Sequence, residues 1–175
     1  SARARIRSWH ENAVGDIVLR FSAGARKIKP SLMVSVDGNP QAVNDQLSLE
    51  GRNEVLWANR GWVDVIFNMD YRSRIDYETV DQVRAVLDHP GKLYPLFGNF
   101  DLIDGQPVPR SGRLIEKYIK LSRSKWPDSG VAFYIFQMLN DAQISTLKQG
   151  VFAETAKPNW PGSLAGAKIG EATAP

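Results

Sequence analysis

A helical apolar pattern and a short continuous apolar run follow one another along this chain four times over, and that alternation limits the fold more than any single motif does. Residues 10–28 place Val14, Ile17, Val18, Phe21, Ala25 and Ile28 on one helical face, and Pro30 ends the helix before a strand over 31–38. A helix over 49–60, closed by Gly61, leads into a strand over 63–70. Asp76 caps a helix over 76–90 that carries Val80, Val83 and Leu87 on one side, and a strand follows over 92–100. A polar loop with Gly105, Pro107 and Pro109 leads to Ser111, which caps a helix running to Trp126, where Pro127 stops it. The fourth strand covers 130–139, and Asn140 caps a last helix over 140–152.

The strands begin roughly thirty residues apart, the length of a βαβ unit. They are continuous apolar runs rather than alternating ones, as suits strands buried on both faces of a parallel sheet. The fold class is therefore α/β, with four parallel βα units. Residues 1–156 form the folded domain, and 157–175 form a Pro- and Gly-rich tail expected to be poorly ordered.

At 175 residues, 43% hydrophobic and 23% charged, the chain has the make-up of one globular domain with a sizeable core. The net charge of +3 is small, and the densest basic patch, residues 3–7, is short; no nucleic-acid footprint is expected. The absence of cysteine excludes disulfides, thiolate metal sites and a thiol nucleophile. No apolar run is long enough for a membrane span, and the first residues do not read as a signal peptide.

In parallel α/β folds ligands collect at the carboxyl ends of the strands. Those ends read Asp37-Gly38-Asn39, Asn68-Met69-Asp70-Tyr71, Asn99-Phe100-Asp101, and Gln137 shortly before Asn140. Amides and carboxylates exchange hydrogen bonds with hydroxyls, and aromatic rings offer flat apolar faces, so such a rim suits a polyhydroxylated ligand. Any one of these residues also serves as a helix cap or turn former. His10 and His89 stand apart without acidic partners, so no metal site is expected, and no Gly-rich phosphate loop points to a cofactor. Ser35, Ser48, Ser111 and Ser145 lack a nucleophile elbow. Trp57 and Trp62, flanking a helix end, read as core before sugar platform; Trp126 and Trp160 lie near loops beside prolines.

Trp9, Asn12 and Lys29-Pro30, then Gly61-Trp62-Val63-Asp64 with Tyr71, then Gly130, Leu147, Gly150 and Phe152 keep the order of a known pattern. From about Trp9 to Ala156 the chain resembles the C-terminal half of the family 10-like glycosyl hydrolases, the exported bacterial group that includes peptidoglycan-glycan hydrolase-like lipoproteins. It departs from that pattern at Asn68-Met69, where a Pro-Gln or Pro-Met is common, and at Gln137, where Asp is common. The resemblance implies strands five to eight of a (β/α)8 TIM barrel, a carbohydrate ligand and a periplasmic or extracellular location. The acidic cluster that the family carries at its fourth strand would lie before Ser1.

Glycoside hydrolysis needs two carboxyl groups flanking one bond. Asp70 and Asp37 are the catalytic candidates, with Asn39, Asn68, Tyr71, Asn99, Asp101 and Gln137 as substrate-binding candidates. Half a barrel leaves two open strand edges, which calls for a second copy, a separate N-terminal half-barrel, or a free-standing open sheet. The alternatives to an enzyme are a carbohydrate-binding module and an open-sheet α/β protein of flavodoxin-like order.

Overall fold

The computed structural model describes residues 2–42 and 50–154. It is an α/β fold whose four parallel strands curl into a half-barrel. In chain order the elements are α1 (Ala2–Ile28), β1 (Ser35–Gly38), α2 (Glu54–Asn59), β2 (Val65–Asp70), α3 (Tyr77–Ala85), β3 (Leu93–Gly98), β4 (Phe100–Ile103), β5 (Gln106–Pro109), α4 (Gly112–Lys125), β6 (Ala132–Tyr134) and α5 (Asp141–Gln149). The main sheet has the order β1-β2-β3-β6, so spatial order follows chain order. Right-handed crossovers without a reversal of order put every helix on one side of the sheet. This is barrel-like order, not the reversing order of a flavodoxin.

Register and alternation then divide the strand residues between two faces. Asp37 pairs with Phe67, Phe67 with Tyr94, Met69 with Leu96, and Leu96 with Ala132. These residues, with Gly98 and Tyr134, line the concave face. Ile66, Leu93 and Phe97 point the other way, under the helices. There Ile66 and Leu93 are fully buried against Trp57, Val80, Val83 and Trp126, with Val14 and Val18 of α1 packed on the edge. Phe97 packs on Ile75 and Tyr118, and Ile115, Ile119 and Leu147 join α4 to α5.

Local signals set the helix starts. Asp76 accepts from the Thr79 amide at 3.0 Å, and Ser111 accepts from the Leu114 amide at 3.3 Å. Asn140 and Gln143 form a full capping box at the start of α5. Trp57 is a core residue, as expected for its place at a helix end; Trp126, expected near a loop, is buried in the core as well, and its indole donates to Asp81 at 2.7 Å.

Four expectations are corrected. The helix before β2 spans only Glu54–Asn59, because Asn53 caps it and Gly51 holds a left-handed backbone just upstream. The fourth strand shrinks to Ala132–Tyr134 and gives way to a 3-10 turn over Phe136–Met138. The loop after β3 is instead the antiparallel β4–β5 hairpin, turned by Asp104 and Gly105, both at positive φ. In α1, which has 27 residues, Val14 and Val18 face the core, but Ile17, Phe21 and Ile28 face solvent. Ser48, Trp160 and the tail 157–175 lie outside the described residues.

Candidate functional site

The carboxyl rim splits into an open shelf, a buried ion cluster and a backbone clamp. The shelf lies on the concave face. Tyr71, the first residue beyond β2, stacks on Tyr134 at the end of β6 with ring centroids 4.9 Å apart and planes 21° apart. Phe100 stands 6.5 Å and 6.4 Å from the two rings. Between them runs β3, where Gly98 makes room: a Cβ there would lie 3.5 Å from both Cα and Cβ of Tyr71. Any longer side chain would take the place of the Tyr71 ring. Burial raises the Tyr71 phenol above its ordinary pKa, with further upward pushes from Tyr134 and from the negative charge of Asp37. Asp37 itself is exposed at the end of β1 on this same face.

Asp70 faces the opposite way, under the helices, and is only 4% exposed. The Arg72 guanidinium donates to its two oxygens at 2.7 and 2.8 Å, and the backbone amides of Arg72 and Asp76 donate at 3.2 and 2.9 Å. Its hydrogen bond with Asp70 raises the Arg72 pKa above the usual guanidinium value. Hydrogen bonds from Thr79 hold the Asp76 carboxyl below its usual range. A cavity of about 450 Å³ opens here between the ends of β1 and β2, lined by Asn39, Pro40, Gln41, Asn68, Met69, Asp70, Tyr71, Arg72, Asp76 and Thr79. Asn39 and Asn68 thus share a cavity with Asp70; Tyr71 borders both that cavity and the shelf beside Asp37. The two carboxylates read as a catalytic pair stand on opposite faces of the sheet.

The third group is structural. Asn99 is 1% exposed; it accepts from the Ile135 amide at 2.7 Å and donates to the Ile135 carbonyl at 3.1 Å. Gln143 donates to the Asn99 and Arg110 carbonyls at 3.0 and 2.7 Å. Asp101 accepts from Arg110 at 2.7 Å, and the fully buried Arg110 guanidinium also donates to the Gly98, Tyr71 and Arg72 carbonyls at 2.7, 3.1 and 2.8 Å. Arg110 therefore fixes the backbone from which Tyr71 projects. Gln137 sits exposed in the 3-10 turn.

The sequence reading missed Tyr134 and Arg110. Strand alternation within 130–139 was the available signal for Tyr134; nothing in the polar loop singled out Arg110. A larger cavity, about 770 Å³, opens at the amino ends of the strands. Several of its charged groups are held internally: Arg26 bonds Asp64 at 2.7 Å, Lys92 bonds the Ala58 carbonyl at 2.9 Å, and Asp128 bonds Arg84 at 2.6 Å. Among the described residues no His, Asp and Glu side chains cluster in a way that could hold a metal ion.

Chemically, the shelf offers a flat aromatic surface beside one solvent-facing carboxylate. That combination accepts hydrogen bonds from hydroxyls and packs on an apolar ring face. The cavity between the ends of β1 and β2 holds the Asp70–Arg72–Asp76 ion cluster and has Tyr71 on its border. No family model, curated protein or solved structure matches the chain.

Proposed function

We propose that the concave face binds a carbohydrate chain, with a sugar ring packing on the exposed part of the Tyr71–Tyr134 stack and its hydroxyls donating to Asp37. The observation that carries this reading is the stacked tyrosine pair at the carboxyl ends of the strands, beside an exposed carboxylate. The resemblance to family 10-like glycosyl hydrolases adds a substrate class, bacterial glycan strands, and a periplasmic or extracellular setting. Binding without cleavage is the activity that the residues of this chain support. Hydrolysis needs a second carboxylate across the scissile bond from Asp37, and Asp70 lies behind the sheet. That second group would have to come from a complementing half-barrel. Association with another chain belongs to the same proposal, since β1 and β6 end the sheet on either side.

Calorimetric titration with soluble N-acetylglucosamine oligomers tests the reading. Binding that is lost in Tyr71→Ala and weakened in Asp37→Asn supports it, with no oligomer cleaved by either protein. Undiminished binding in Tyr71→Ala, or no binding by the wild type to any bacterial glycan fragment, removes it.

A further inference from the structure

Asn68 is a buried amide that the fold does not use. The residue is only 8% exposed, yet among the described residues its side chain makes no hydrogen bond. The other buried asparagines are bonded: Asn53 accepts from the Leu56 amide at 3.0 Å, and Asn99 is held by the Ile135 backbone. Taking an amide out of water without a partner is costly, so a native fold rarely keeps one unless something else meets it. Neither polar atom of Asn68 is sealed off, and both open into the cavity of about 450 Å³ between the ends of β1 and β2. That volume lies toward the lower end of the range for small-molecule sites, about 300–1,000 Å³.

The walls limit the occupant. Each Asp70 oxygen already accepts two hydrogen bonds, from the Arg72 and Asp76 amides and the Arg72 guanidinium, which fills its lone pairs. Asp76 is engaged by the Thr79 amide at 3.0 Å and the Thr79 hydroxyl at 2.8 Å. A cation therefore finds both carboxylates taken. An anion meets two carboxylates against one guanidinium, a wall of net negative charge. A purely apolar group would leave the Asn68 amide unpaired. What fits is a neutral polar group. The amide sets an acceptor and a donor side by side, and two neighbouring hydroxyls, one donating and one accepting, satisfy both at once.

Tyr71 is shared by this cavity and the shelf, so a glycan packed on the tyrosine stack has the cavity next to it. Asp76 and Thr79, at the start of α3, wall the cavity on the helix side. In a 1,4-linked chain of N-acetylglucosamine, the neighbouring hydroxyls O3 and O4 are free together only at the non-reducing end. We propose that the cavity is a chain-end subsite, in which Asn68 holds O3 and O4 of the terminal sugar of an uncharged glycan. The proposal rests on the carbohydrate reading and adds to it which part of the chain is recognised.

Calorimetry with the N-acetylglucosamine tetramer, and with the same tetramer lacking O4 on its terminal sugar, tests it. The wild type should bind the second about tenfold or more weakly, because Asn68 then loses a partner inside the cavity. Asn68→Ala should bind both alike, at the weaker affinity, with a melting temperature near wild type because no bond within the chain is lost. In the wild type, the side-chain amide resonances of Asn68 should shift with the parent tetramer and not with the one lacking O4, a readout that needs no variant to fold. A tetramer ending in N-acetylmuramic acid, whose O3 is blocked by an ether bearing a carboxylate, should bind no better than the one lacking O4. Equal affinity of the wild type for the parent and the tetramer lacking O4 overturns the proposal and leaves water as the cavity's occupant. So does an Asn68→Ala protein that still tells them apart. The shelf reading survives either result so long as Tyr71→Ala abolishes binding. A wild type that binds neither tetramer overturns the chain-end subsite as well, and the shelf falls with it only when no other bacterial glycan fragment binds.

Discussion

Tyr71 and Tyr134 stack at 4.9 Å although β3 lies between the strands that carry them. The contact exists because Gly98 gives β3 no side chain at the crossing point. This is a shelf built by subtraction, and it yields the first expected outcome. Tyr134→Ala lowers glycan affinity about tenfold, roughly the worth of one aromatic stacking contact. Tyr134 is 42% exposed, so its melting temperature shifts little. Gly98→Val loses binding as well, by displacing the Tyr71 ring, and calorimetry reads both.

Asp70 behaves differently. Asp70→Ala leaves the Asp76 and Arg72 amides without their acceptor in a partly buried setting. The expected cost is about 1–3 kcal/mol of stability, measured by urea denaturation. The Arg72 ion pair adds little to that figure, because the Arg72 side chain is 63% exposed. Glycan affinity of the folded fraction stays near wild type, which separates this residue from Asp37.

Arg110→Met removes a buried cation from beside Asp101 and leaves the Gly98, Tyr71 and Arg72 carbonyls unpaired at once. About 3–5 kcal/mol of stability should be lost, enough to be seen in a thermal melt. Arg110→Lys recovers only part of it, since an ammonium cannot reproduce the planar fork that spans these acceptors.

Alkaline pH destabilises the fold through its tyrosines. Burial raises both Tyr71 and Tyr118 above the ordinary value of 10.0. The folded protein therefore keeps phenol protons that the unfolded chain releases above about pH 10, and the stabilisation fades as pH climbs through the folded values. Denaturant midpoints measured from pH 8 to 11 should fall across the upper part of that range. On the acid side the sign reverses for Asp76 and Asp81, both held below 3.8: their contribution is present above that value and is lost as pH falls below it through the lower folded values.

Much of the architecture was legible because it is local. Asp76, Ser111 and Asn140 each announced a helix start within four residues, and the continuous apolar strands announced a parallel sheet. What the rim residues do was not legible, because it depends on register. Asp37 and Asp70 look alike in sequence, yet one odd step in alternation sends them to opposite faces. Asn99 reads as a ligand group and is instead consumed by the Ile135 backbone, a choice set by a segment far along the chain. The β4–β5 hairpin escaped notice because two prolines disguise a strand short enough to need few backbone bonds. In α1, Ile17, Phe21 and Ile28 share a helical pattern with Val14 and Val18, yet only the two valines meet the core.

The match between chain order and spatial order in the main sheet bears on how this protein is made. Each new strand docks on the one synthesised just before it, so little chain entropy is lost before a contact rewards it. A ribosome extruding this polypeptide can therefore lay down its sheet one unit at a time, without holding an early strand open for a late partner.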